Sequence, residues 1–106
     1  MGNAEEGKRV ADSSDESIGF EISTSGDEEG EIESAYIYLS HKPVARSRAH
    51  KADVLSADYD AAGAIVGIDI MAPVKVADLV KLVEPDLREP FERFVRGAGP
   101  PALIQG

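Results

Sequence analysis

The chain has 106 residues, room for one domain, and its 42% hydrophobic and 29% charged residues are those of a soluble globular protein. Cysteine is absent, which excludes disulfides and thiolate metal sites. The net charge of −9 is uneven: residues 1–34 carry eleven acids against two bases, whereas 35–106 carry nine of each. An acidic balance argues against nucleic acid as a general partner, because phosphate contacts need a basic surface.

Residues 1–17 contain Val10 as the only sizeable aliphatic besides Met1. Such a segment cannot offset about 1–2 kcal/mol of backbone entropy per residue, so a disordered acidic tail is expected over 1–17. Docking of this acidic arm on a basic partner, or on the basic stretch of its own chain, is the functional alternative. The segment lacks the apolar core of a signal peptide, and Glu6 stands where a myristoylation motif wants Ser or Thr. No apolar run approaches the roughly 18 residues of a membrane span. The expected compartment is cytoplasmic.

A single domain is expected over 18–97, with a sheet in 18–72 and helices in 75–97. Ile18 to Ser23 alternates apolar with small or polar residues, as a first strand does. Thr24 to Glu33, with Gly26, Gly30 and a run of acids, reads as a solvated loop. Glu33 to Ser40 is a second strand with Ala35, Ile37 and Leu39 on the core face and Tyr36 and Tyr38 on the other. His41-Lys42-Pro43 ends it.

Val44 to Lys51 is the one locally basic segment. Extended, it aligns Arg46, Arg48 and His50 on one side. An edge strand whose charges discourage edge-to-edge pairing accounts for it. The sharper alternative is an anion or nucleic-acid contact through Arg46, Arg48 and Lys51.

The strongest local signal follows. Val54 to Tyr59, the turn Asp60-Ala61-Ala62-Gly63 and Ala64 to Ile70 form a hairpin. Asp60 can turn the chain through its carboxylate, and Gly63 takes positive φ without a Cβ clash. Strict alternation puts Ala64, Val66, Ile68 and Ile70 on one face and Ile65, Gly67, Asp69 and Met71 on the other.

After Pro73, the spacing of Val76, Leu79, Val80 and Val83 predicts a short helix stopped by Glu84-Pro85. Leu87, Phe91, Phe94 and Val95 predict a second, from near Glu89 to Gly97, with Pro90 in its first turn. Residues 98–106 read as a flexible C-terminal tail. The fold class expected is α+β: an antiparallel β-meander of three to four strands with two short C-terminal helices packed on one face. Tyr36, Tyr38, Ile65 and Met71 then form a second apolar patch on the opposite face. A homodimer burying that patch is the preferred account.

No catalytic, cofactor-binding or metal-ligating constellation stands out. Asp58, Asp60, Gly63 and Asp69 mimic an EF-hand calcium loop, but Ala62 replaces a ligand and strand alternation precedes Asp58 where a helix is needed. His41 and His50 have no carboxylate–imidazole–hydroxyl arrangement nearby. No enzyme and no cofactor are expected.

The run Ala35-Tyr36-Ile37-Tyr38-Leu39-Ser40, then Asp58-Tyr59-Asp60, Gly63 and Ile65-Val66-Gly67-Ile68-Asp69-Ile70, resembles DUF2283, a family of small, mostly bacterial proteins of unknown function. The resemblance covers about residues 18–72. Asp69 replaces the family's usual Glu, and Ser25–Glu33 is longer than its usual tight first turn. The resemblance implies a small antiparallel sheet, no known activity and, from toxin-like neighbours of some members, an antitoxin or partner-binding role. The leading expectation is therefore a protein-binding module, antitoxin-like toward a basic partner. The alternatives are a homodimeric domain with a solubilising acidic tail, and a weak nucleic-acid contact through 44–51.

Overall fold

A computed structural model describes residues 19–106, so the expectation of a disordered tail over 1–17 lies outside the described residues. Five strands form one antiparallel sheet: β1 (Glu21–Gly26), β2 (Ile32–Tyr38), β3 (Arg46–Lys51), β4 (Leu55–Tyr59) and β5 (Ile65–Ile70). Then come β6 (Val74–Lys75), α1 (Val76–Val80), a 3₁₀ turn at Pro85–Leu87, α2 (Arg88–Ala98) and β7 (Ile104–Gln105). The fold class is α+β, with more strands than the three to four expected. No helix among the described residues is long and apolar enough to cross a membrane.

The spatial order is β1-β2-β5-β4-β3, which corrects the expected meander. Strands β3, β4 and β5 follow one another, but β5 returns to pair with β2, so β2–β5 form a Greek key. The segment 39–45, with Pro43 to keep it out of a ladder, carries the chain from β2 to the far edge.

The two hairpin turns share one geometry. Asp60 Oδ1 accepts the N–H groups of Ala62 and Ala64, both at 2.9 Å, and Gly63 has φ +89°. Asp27 Oδ1 accepts those of Glu29 and Glu31, both at 2.9 Å, and Gly30 has φ +87°. The expected solvated loop over 24–33 is therefore a tight turn between β1 and β2. Its signal, Asp-x-x-Gly, is the same one that marked the second hairpin.

The hydrogen bond from Ala64 N–H, aided by that from Ala62, holds the Asp60 carboxyl below its usual pKa. Asp60 is 5% exposed, though its shield is the backbone of its own turn rather than the core. A lowered folded pKa makes its contribution full above the ordinary aspartate value and lost as pH falls through the folded one. Asp60→Ala should lower the melting temperature at neutral pH. The gap to the wild type should hold from neutral pH down to about pH 4, the ordinary aspartate value, and narrow below it in thermal melts.

The core lies between one sheet face and the helices. Ala35, Ile37, Leu55, Ile68 and Ile70 meet Leu79, Val83, Phe91 and Val95. Helix α1 is shorter than expected: the chain leaves it after Val80, and Val83 is buried from the following turn. Arg88 secures that turn, its Nε donating to the Val83 carbonyl at 3.0 Å. Pro90 sits in the first turn of α2, where its missing N–H breaks no helical bond.

The expected flexible tail over 98–106 is corrected. Leu103 and Ile104 are buried, and β7 pairs in parallel with β6, Val74 N–H donating to the Leu103 carbonyl at 2.8 Å. Two aliphatics after Pro100-Pro101 are enough to dock the segment against the end of α2, where Ile104 lies close to Gly99.

Candidate functional site

The helices cover one face of the sheet, and register places Tyr36, Tyr38, Asp58, Gly67 and Asp69 on the open one. Tyr36 lies opposite Asp69, Tyr38 opposite Gly67, and Gly67 opposite Asp58. The Tyr36 and Tyr38 rings meet edge to face at 4.8 Å. Tyr36 Oη donates to Asp58 Oδ2 at 2.6 Å, and Ser47 Oγ donates to Asp58 Oδ1 at 2.6 Å. Asp58 thus ties β2, β4 and β3 together across the open face. Charge-assisted bonds of this length are the strong kind.

Burial, the hydrogen bond to Asp58 and that carboxylate's charge all push the Tyr36 hydroxyl well above the ordinary phenol range. It is a fixed donor at neutral pH, which positions the ring rather than moving protons.

Gly67 is what lets the ring lie there. A Cβ at this position would fall on the Tyr36 hydroxyl and ring. Gly67→Ala should therefore cost about 1–3 kcal/mol in urea unfolding, because the ring loses its seat and Asp58 its donor. In a Tyr36→Ala background the same substitution should be neutral or stabilising, since Ala gives up less chain entropy than Gly.

Tyr36 and Tyr38 are brought together as the sequence predicts. Beside them an opening of about 220 Å³ runs past Ser40, Lys42, Val44 and Val66. Met71 is exposed, but it lies two residues beyond Asp69 along β5, away from Tyr38.

Ile65 is a correction. The ladder slips between Asp58 and Tyr59, so Tyr59 faces Ile65 while Asp58 faces Gly67. Val66 is the extra residue of a β-bulge. It reverses the alternation: Ile65 packs on the helix-side core, and Val66 joins the tyrosine side. Nothing in the local pattern marks the bulge, since Ile65 and Val66 are both apolar.

At the far edge, register puts Arg46 opposite Tyr59 and Arg48 opposite Ala57, on the helix side. A second bulge, between Ala49 and Lys51, sets Lys51 opposite Leu55 on that same side. His50 Nε2 is 2.7 Å from Tyr59 Oη. The structure thus gathers Arg46, Arg48, His50 and Lys51 along the helix side of this edge, where strict alternation would have sent Lys51 the other way. Among the described residues no group of three or more His, Asp or Glu side chains could hold a metal ion. Asp58 and Asp60 are instead spent on side-chain and turn hydrogen bonds.

The fold and site define a small α+β domain whose five-stranded sheet keeps one face open, with acids in the turn that joins β1 to β2 and bases on the edge strand β3. Residues 29–72, spanning β2 through β5, match the family described as Protein of unknown function (DUF2283), the family that the sequence resembles. Strand β1 and the C-terminal helices lie outside that match. No curated protein and no solved structure matched the chain.

Proposed function

We propose that the chain is a protein-binding module for a basic partner, with the open tyrosine face as its contact surface. The observation that carries this reading is the segregation of charge around that face. The β1–β2 turn and the start of β2 hold Asp27, Glu28, Glu29, Glu31 and Glu33, all exposed. Next to the start of β2 Met71 is uncovered, and at the other end of that strand Tyr38 and Val44 are. An acidic rim accelerates encounter with a basic protein, and aromatic side chains supply contact area. An antitoxin-like role toward a small basic protein is the form of this reading that the family resemblance favours.

The test is affinity capture from host lysate with mass spectrometry, using the full chain, Tyr38→Ala, and a triple variant Glu28→Gln/Glu29→Gln/Glu31→Gln. Asp27 is left in place because it caps the turn. A basic protein held at low salt, and lost from both variants, supports the reading. Equal capture by all three sinks it. If light scattering instead shows a dimer that Tyr38→Ala dissolves, the face joins two copies of this chain.

A further inference from the structure

The opposite edge of the sheet carries a second surface, independent of the tyrosine face. Among the described residues strand β3 pairs only with β4, and all six of its own residues are exposed. Its outer edge therefore presents unpaired backbone N–H and C=O groups, the template onto which an extended segment can add. Edge strands are often protected by charge, but here the charges are all of one sign and turned to one side. Arg46, Arg48 and Lys51 form no ion pair with any carboxylate among the described residues.

Two openings lie next to this edge. One, of about 310 Å³, is bounded by Arg46, Arg48, Tyr59 and Gly63. The other, of about 300 Å³, lies toward α1; Leu55, Val74 and Leu82 give it an apolar floor, His50 and Lys51 bound it on the strand side, and the ion pair of Lys81 with Asp78 bounds it on the helix side. A strand added to β3 would turn alternate side chains toward the helix side, where both openings are.

We infer that the β3 edge is a docking site for an acidic peptide in extended conformation, held by the strand backbone and by Arg46, Arg48 and Lys51, with an aliphatic side chain over Leu55, Val74 and Leu82. Charge selects the occupant. Two β3 edges would repel one another, and a neighbour's β1 edge, whose one acid is Glu21, offers little charge to pair with and would make a head-to-tail contact that does not close. Nucleic acid is opposed by the chain's net charge of −9. An acidic strand meets the basic side chains, leaves the tyrosine face free and closes the edge.

The experiment selects displayed random peptides of about eight residues, long enough to span β3, on the full chain. The enriched sequence is then synthesised with a fluorescent label and measured by anisotropy. Acids at alternate positions are expected, with binding at least about tenfold weaker for Arg46→Ser/Arg48→Ser. A loss of similar size is expected when alternate amides of the peptide are N-methylated, a test made on the unaltered chain. Amide exchange should slow in 46–51 on binding.

Enrichment without acids, or equal binding by the double variant, would overturn the proposal. So would indifference to N-methylation together with full competition by oligothymidine, which would mark an unspecific anion surface. Concentration-dependent assembly that Arg46→Ser/Arg48→Ser abolishes would give the edge to another copy, and would overturn it as well.

Discussion

Phe91→Ala is expected to lower the free energy of unfolding by about 3–5 kcal/mol, read from urea denaturation followed by circular dichroism. Phe91 has no exposed surface, and Phe20 meets its ring edge-on at 5.4 Å. It is the largest side chain wholly enclosed between the helices and the sheet. The cost combines lost transfer energy with a cavity that a two-layer core, backed by a rigid ladder, can only partly collapse. Domains of this kind are stable by about 5–15 kcal/mol in total, so the variant should lose a large fraction of its margin. Phe94 touches the same Phe20 ring at 5.6 Å but is only half-buried, so Phe94→Ala should cost less. Equal midpoints for Phe91→Ala and the wild type would mean that α2 does not cover the sheet as described.

Truncation after Pro101 is expected to cost about 3–6 kcal/mol, the sum of two buried aliphatic side chains at about 1.5–3 kcal/mol each. It removes Leu103 and Ile104, 3% and 7% exposed, together with the bonds joining β7 to β6. Val74 in β6 and Val76 at the start of α1, both buried, would lose their cover. Leu103→Ala/Ile104→Ala should reproduce most of the loss, because side-chain burial rather than two strand residues supplies it. Removing only Gln105 and Gly106, both exposed, should change little. An unchanged urea midpoint after the longer truncation would return this segment to the flexible tail that its Gly-Pro-Pro composition predicts.

The local chemistry of this chain was legible wherever it is self-contained. Asp60 and Gly63 announce a turn because carboxylate and glycine act on their own neighbours. Asp27 and Gly30 repeat the signal, and only the surrounding acids made that turn look like a solvated loop. The helical stripes ending in Val83 and Val95 point to the core as expected, even though α1 itself stops at Val80. The match over 29–72 belongs to the same legible part, since it rests on a contiguous pattern.

The candidate surfaces were legible only in part. Tyr36 and Tyr38 share a face by alternation, but the bond from Tyr36 to Asp58 joins residues 22 apart across Gly67. Within β5 nothing tells a glycine kept for a neighbouring ring from one that weakens a strand. Ile65 and Lys51 were each placed by a bulge. A single extra residue reverses the faces of a strand, and it is set by pairing with a partner strand rather than by the strand's own side chains.

The sequence by itself therefore determined the acidic first third, the turns, the helix-facing apolar positions and the absence of thiol chemistry. These depend on composition and on interactions within a few residues. Tertiary structure alone decided the Greek-key order, the bulges at Val66 and beside Lys51, the docking of Leu103 and Ile104, and the separation of the acidic β1–β2 turn from the basic β3 edge across one sheet. Each of those follows from which surfaces meet when the chain closes over Phe91, a choice made by distant apolar contacts that no local window contains.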